Sequence, residues 1–164
     1  MAGLLLTACG TPSTAVARRY TYASEPSVSA KMICLPRAVV DINHVLGVHT
    51  LVQPAPSWVR HRYSCPYRYA TGTMVLSVKE LPTLASAVGY LSTLRRAMGD
   101  AGAIGNAGAG GFSASDGSAV TRKDNKVLVV DVAGLPAMFG RPATTRAEVA
   151  LTVTDLILAC WRGD

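Results

Sequence analysis

The side chains with the most chemistry to offer are four cysteines, Cys9, Cys34, Cys65 and Cys160. A thiol can carry an acyl chain, pair as a disulfide, ligate a metal or act as a nucleophile. Zinc sites built from cysteine need CxxC-type spacing, which is absent. Cys160 falls near the end of a helical pattern, where the dipole disfavours a thiolate, and on the apolar stripe of that pattern. Structural packing is therefore expected of it rather than catalysis. If Cys9 is modified, three thiols remain, and in an oxidising compartment two would pair and one would stay free. Cys34–Cys65, Cys34–Cys160 and Cys65–Cys160 are all open, and a cytosolic chain would keep the three reduced.

The other nucleophiles and bases lack company. His44, His49 and His61 form neither HxH nor HExxH. His44 is expected in solvent, and His61 half-buried and hydrogen-bonded. Gly111-Phe112-Ser113-Ala114-Ser115 misses the last glycine of GxSxG. The Gly/Ala-rich stretch from Ala101 to Gly111 holds neither GxGxxG nor GK[ST], so it reads as a flexible surface loop. No acid/base pair, triad or metal set is visible, and no catalytic activity, metal or cofactor is expected.

Arginine gives the best binding feature. From Trp58 to Tyr69 the chain alternates: Val59, His61, Tyr63, Cys65, Tyr67 and Tyr69 on one side, Arg60, Arg62, Ser64 and Arg68 on the other. A strand with that pattern would present Arg60, Arg62 and Arg68 to an anion through charge-assisted hydrogen bonds. The plainer alternative is an ordinary solvated strand face. The formal net charge of +6 agrees with acidic partners: anionic lipid, an anionic envelope polymer or nucleic acid. An RNA-binding sheet would place aromatics and arginines together, whereas here they oppose each other, so nucleic acid is not expected.

Compartment decides how these residues are read, and Leu6-Thr7-Ala8-Cys9 bears on it. It resembles the bacterial lipobox, a Leu and two small residues before a Cys that is acylated with diacylglycerol and becomes the first residue. Two acyl chains anchor stably where one does not. Ala2 to Leu6 is a short apolar region with no Lys or Arg before Cys9, as a start assigned too far downstream would leave. We therefore expect residues 1–8 to be the remnant of a signal peptide. Residues 9–30 would be the lipidated Cys9 and a flexible Ala/Ser/Thr/Pro-rich tether, and 31–164 a single domain. Arg18 and Arg19 would lie close to anionic lipid. A cytosolic chain with a chance apolar start is the alternative.

The elements that must position these side chains follow from periodicity. Pro36 opens a helix with Ala38, Val39, Ile42, Val45 and Leu46 on one face, and Gly47 ends it. The Trp58–Tyr69 strand follows; Pro66 makes it an edge strand or gives it a bulge. Thr71-Gly72 reads as a turn into a strand carrying Met74, Leu76 and Val78. Leu84, Ala87, Val88, Leu91, Leu94 and Met98 mark a second helix. Phe112–Ala114, Ala119–Lys123 and the apolar run Val127–Val132 read as strands, with turns at Asp116-Gly117 and Asp124-Asn125. Thr145-Arg146-Ala147-Glu148 is a capping box before a last helix bearing Val149, Val153, Leu156, Ile157, Cys160 and Trp161. The order α-β-β-α-β-β-β-α predicts an α+β domain with an antiparallel sheet of about five strands and helices packed on one face.

This layout resembles small actinobacterial envelope lipoproteins, including the LpqN-like family. Shared features are the lipobox Leu6–Cys9, the tether, Cys34 just before a first helix ending in Leu46-Gly47, and Cys65 in the next strand. The resemblance implies a PsbP-like sandwich, a Cys34–Cys65 disulfide and no well-defined enzymatic activity. The expectation is thus a protein of the outer face of the cell membrane, held to the bilayer through acylated Cys9. Its domain would bind an anionic envelope polymer or another envelope protein. A carrier of an apolar ligand or lipid between sheet and helices, or an envelope enzyme, are the alternatives. The terminal Arg162-Gly163-Asp164 matches an integrin-recognition tripeptide, but three residues at a free end carry no argument.

Overall fold

The computed structural model describes residues 24–105 and 110–161. Cys9, the signal remnant, most of the tether with Arg18 and Arg19, and the terminal tripeptide lie outside them. In chain order the elements are α1 (Val28–Met32), α2 (Pro36–Leu46), β1 (Ser57–Val59), β2 (Arg62–Tyr69), β3 (Gly72–Glu80) and α3 (Leu84–Met98). There follow β4 (Asp100–Ile104), β5 (Gly111–Ala114), β6 (Ala119–Lys123), β7 (Lys126–Asp131), the two-residue strands β8 (Met138–Phe139) and β9 (Thr144–Thr145), and α4 (Arg146–Cys160).

The α+β class and the antiparallel sheet are as expected. The strand number is not: the sheet has seven strands in the order β1-β2-β3-β7-β6-β5-β4. Two segments account for the excess over five. The Trp58–Tyr69 alternation is cut by a two-residue turn, Arg60-His61, so that β1 folds back on β2 with Trp58 opposite Tyr63. Part of the presumed Gly/Ala-rich loop is β4, paired with β5 from Asp100–Ala114 to Ile104–Gly111. Pro66 lies beyond the last β1 partner, Ser64, so its missing N–H falls on an open edge of β2.

Side-chain alternation divides the sheet into two faces. Tyr63, Cys65, Tyr67 and Tyr69 on β2 share one face with Met74, Leu76 and Val78 on β3 and Leu128 and Val130 on β7, as the register requires. Ala30, Ile33, Val39, Ile42 and Leu46 from α1 and α2, and Val149, Val153 and Ile157 from α4, pack with these residues in the main core. The opposite face carries Phe112, Ala114, Val120 and Val127, which form a second core with Ala87 and Leu91 of α3. The helices therefore cover both faces rather than one. The reason is in the strands: β7 is apolar on both sides, Val127 and Val129 on one and Leu128 and Val130 on the other, and the second apolar face that Val127 forms with Val120 and Phe112 needs a second layer.

The folded region also begins earlier than residue 31. Ser27 caps α1 by accepting from the Ala30 N–H, and its own N–H donates to the Glu80 carboxylate at 2.9 Å. Ser24, at the start of the described chain, accepts from the Trp58 indole at 2.9 Å. Ala30 and Ile33 are fully buried, so a stretch without obvious periodicity is fixed by what it packs against.

Cys34 and Cys65 form the disulfide, 31 residues apart. It ties the α1–α2 junction to the middle of β2. Beside it, the Tyr67 hydroxyl donates to the Ile33 carbonyl at 2.7 Å, satisfying both polar groups inside the core. The predicted capping box is present: Thr145 accepts from the Glu148 N–H, and the Glu148 carboxylate accepts from the Thr145 N–H. That charge-assisted bond holds the Glu148 carboxyl below its usual range.

A candidate anion-binding face

α3 shields only the β5–β7 half of the second face. Among the described residues no helix lies over β2 and β3 on that face, which carries Arg62, Ser64, Pro66 and Arg68 beside Thr73, Val75, Ser77 and Lys79. Arg62 lies directly opposite Lys79 across the strands. Like charges in that position repel. Lys79 is half-buried, and its ammonium donates to the Arg60 carbonyl. Burial first, then the charges of Arg62 and Arg60, hold the Lys79 ammonium below its usual range. Three cations are thus gathered at one end of the hairpin.

Arg60 reaches this cluster differently from the strand stripe expected of it. Arg60 and His61 have φ of 50° and 57°, both left-handed, as the central pair of a hairpin turn between β1 and β2. A type I′ turn matches the twist of its strands, but it normally takes Asn or Gly, because a β-carbon is crowded there. Both carbonyls of this turn accept bonds: Arg60 from Lys79, and His61 from the Glu80 N–H at 2.9 Å. His61 consequently leaves the aromatic face and meets Trp58 edge-on at 5.7 Å.

Arg62 is positioned by α3. Its guanidinium donates to the Tyr90 hydroxyl at 2.6 Å. Arg68 stands at the other end of the strand, exposed, six residues or about 20 Å away on strand geometry. Among the described residues, none of Arg60, Arg62, Arg68 and Lys79 is ion-paired. On the neighbouring strand β7 this face carries the Asp131 carboxylate, which accepts from the Ala133 N–H. The structure brings together Arg60, Arg62 and Lys79 and leaves Arg68 as a separate point along the same face. Lys79 and Tyr90 were missed by reading the sequence alone. Counting register from a two-residue Ala70-Thr71 turn would have set Lys79 opposite Arg62; nothing local points to Tyr90.

The remaining chemical side chains are elsewhere. Cys160 is free and exposed, not on the packed stripe predicted for it. Helix α4 ends at Cys160, and Trp161, 3% exposed, turns into the core in its place. Cys160 borders a small apolar cleft of about 80 Å³ between α4 and the α1–α2 corner. Among the described residues no three His, Cys, Asp or Glu side chains gather as metal ligands would, and no helix is long and apolar enough to cross a membrane. Compared with known protein families, with characterised proteins and with solved structures, the chain has no significant match, so the geometry of this face carries the functional reading.

Proposed function

We propose that this chain is an envelope lipoprotein, held to the outer face of the cell membrane by acylated Cys9, whose domain docks an anionic envelope polymer on the uncovered basic half of its sheet. The observation that carries the reading is the crowding of Arg60, Arg62 and Lys79, none of them ion-paired among the described residues, continued by Arg68 along one strand. Mutual repulsion in the free protein is relieved when an anion arrives, so part of the binding energy comes from the site itself. Charges at both ends of a flat strand face suit an extended chain of carboxylates or phosphates better than a single small ion. The compartment is supported by the Cys34–Cys65 disulfide, of a kind that oxidising environments maintain, and by the lipobox resemblance. Nucleic acid is set aside on the same ground. The reading assigns no catalytic step.

Fluorescence titration with polygalacturonate, following Trp58 beside the cluster, tests the docking. Affinity should fall steeply with added salt, fall at least tenfold in Arg62→Glu/Arg68→Glu, and be absent for neutral dextran. Equal binding by the charge-reversed variant removes the site. Capture by vesicles containing phosphatidylglycerol, with no binding of the polymer, would replace the polymer by the membrane surface. Intact mass of the chain from the membrane fraction tests the anchor: a diacylglycerol adduct on a chain beginning at Cys9 supports it, and an unmodified Cys9 removes it.

A further inference from the structure

Away from the basic face the domain has a concavity that docking there would not use. At the end of the sheet where Tyr69 turns into Gly72, a cleft of about 430 Å³ opens between the loop after α2 and the β8–β9 ribbon. This lies within the size range of small-molecule sites. Its walls include His49, Tyr69, Thr71, Met138, Phe139 and Arg141, and among the described residues no carboxylate lines it.

The walls are fixed by tight backbone contacts. Gly47 closes α2 in the left-handed conformation, with φ 63°, and a β-carbon there would come within 2.1 Å of the Arg141 carbonyl. The Arg141 N–H donates to the Leu46 carbonyl at 2.8 Å, so the ribbon is fastened to the helix end by backbone, leaving the Arg141 side chain exposed. Tyr69 meets Phe139 edge-on, with ring centroids 4.9 Å apart. Its hydroxyl is buried and, among the described residues, has no hydrogen-bond partner, an uncommon state for a native polar group. Among the described residues Arg141 is in no ion pair. The exposed Arg141 and His49 thus border the same cleft as Met138 and Phe139, with Tyr69 packed behind Phe139.

We infer that this cleft binds a small organic carboxylate, its acid group on Arg141 and His49 and its apolar body against Met138 and Phe139. The negative end of the α2 dipole borders the site and works against an anion. The Leu46 carbonyl is already occupied by the Arg141 N–H, and the guanidinium is the charge that must outweigh the rest. A neutral analogue of the same shape therefore loses the main attraction and gains nothing. The cleft shares no lining residue with the basic face.

The test is a residue-resolved NMR titration of the chain with hexanoate and, separately, with hexanamide. Hexanoate should shift the amides of Val48, His49, Thr71 and Met138 to Arg141, and bind at least tenfold more tightly than hexanamide. Arg141→Gln should lower hexanoate affinity at least tenfold. His49→Gln, a second exposed substitution, should weaken it several-fold. Both variants should keep the amide spectrum of the fold. Equal binding of acid and amide, unchanged affinity in Arg141→Gln, or shifts confined to Arg62, Arg68 and Lys79 would overturn the assignment. So would an absence of shifts to the solubility limit of hexanoate.

Discussion

The Arg62 guanidinium donates to the Tyr90 hydroxyl across 2.6 Å, joining β2 to α3 beside the uncovered half of the sheet. The contact is exposed, so it contributes little to stability, and its consequence is orientation. Tyr90→Phe should change the unfolding free energy by no more than about 0.5 kcal/mol, the usual range for a surface change. It should nevertheless weaken polygalacturonate binding several-fold, because Arg62 must then be ordered at the moment of binding. Binding and urea unfolding of the same variant separate the two effects.

The disulfide and the Tyr67–Ile33 hydrogen bond secure the same corner, since Ile33 precedes Cys34. Closing a loop of this length is worth about 3–4 kcal/mol on the chain-entropy model, and Cys34→Ser/Cys65→Ser should lose about that much. Tyr67→Phe should cost about 1–3 kcal/mol by leaving the Ile33 carbonyl without that bond. The two changes share a neighbourhood, so their combination should be non-additive. Tyr69→Phe is the contrast: its hydroxyl has no partner among the described residues, and removing it should be neutral or stabilising. Urea midpoints across these variants check the set.

Alkali should unfold the domain through two buried phenols. Burial raises the pKa of Tyr67, with smaller contributions from Tyr69 and Tyr63, and burial alone raises that of Tyr69. A raised folded pKa means stability that is complete below the usual 10.0 and lost as pH climbs through the folded value. Lys79 has the opposite sign: its lowered pKa makes the fold gain stability as pH rises toward 10.5. Urea midpoints should therefore fall above about pH 10, where the phenols ionise in the unfolded chain. Tyr67→Phe/Tyr69→Phe should flatten that fall, and Lys79→Met should remove the rise below it.

Much of the fold was legible in the sequence because periodicity is a direct record of burial. Val39, Ile42 and Leu46, then Met74, Leu76 and Val78, occupy the core positions their spacing assigned. The side on which α3 packs was not legible. Val127 and Leu128 are both fully buried, and a continuous apolar run says that two faces are covered without saying by which helix. β4 was hidden by composition, since Ala101, Gly102 and Ala103 have neither β-branching nor a buried side chain to mark them. Of the candidate site, Arg60, Arg62 and Arg68 were visible in the sequence, and Lys79 and Tyr90 were not. Arg60 was placed on the strand because Arg60-His61 lacks the Asn-Gly signal that announces a two-residue hairpin turn.

That missing signal leads to a further test. Arg60 holds a left-handed backbone with φ of 50°, which costs a residue with a β-carbon about 1–2 kcal/mol and glycine nearly nothing. Its carbonyl accepts from Lys79 whatever the side chain, so Arg60→Gly should leave the turn in place. The variant should be more stable than the parent by about 1 kcal/mol, after allowance for the greater freedom of glycine in the unfolded chain. It should also bind polygalacturonate several-fold more weakly, because one of the three clustered cations is gone. Opposite movement of stability and affinity is what a residue kept for function at a cost to the fold produces. If Arg60→Gly gains stability and binds as tightly as the parent, Arg60 has no part in the site. If it is less stable, the arginine side chain itself supports the turn, through contacts with Trp58 or the strand ends that its removal would expose.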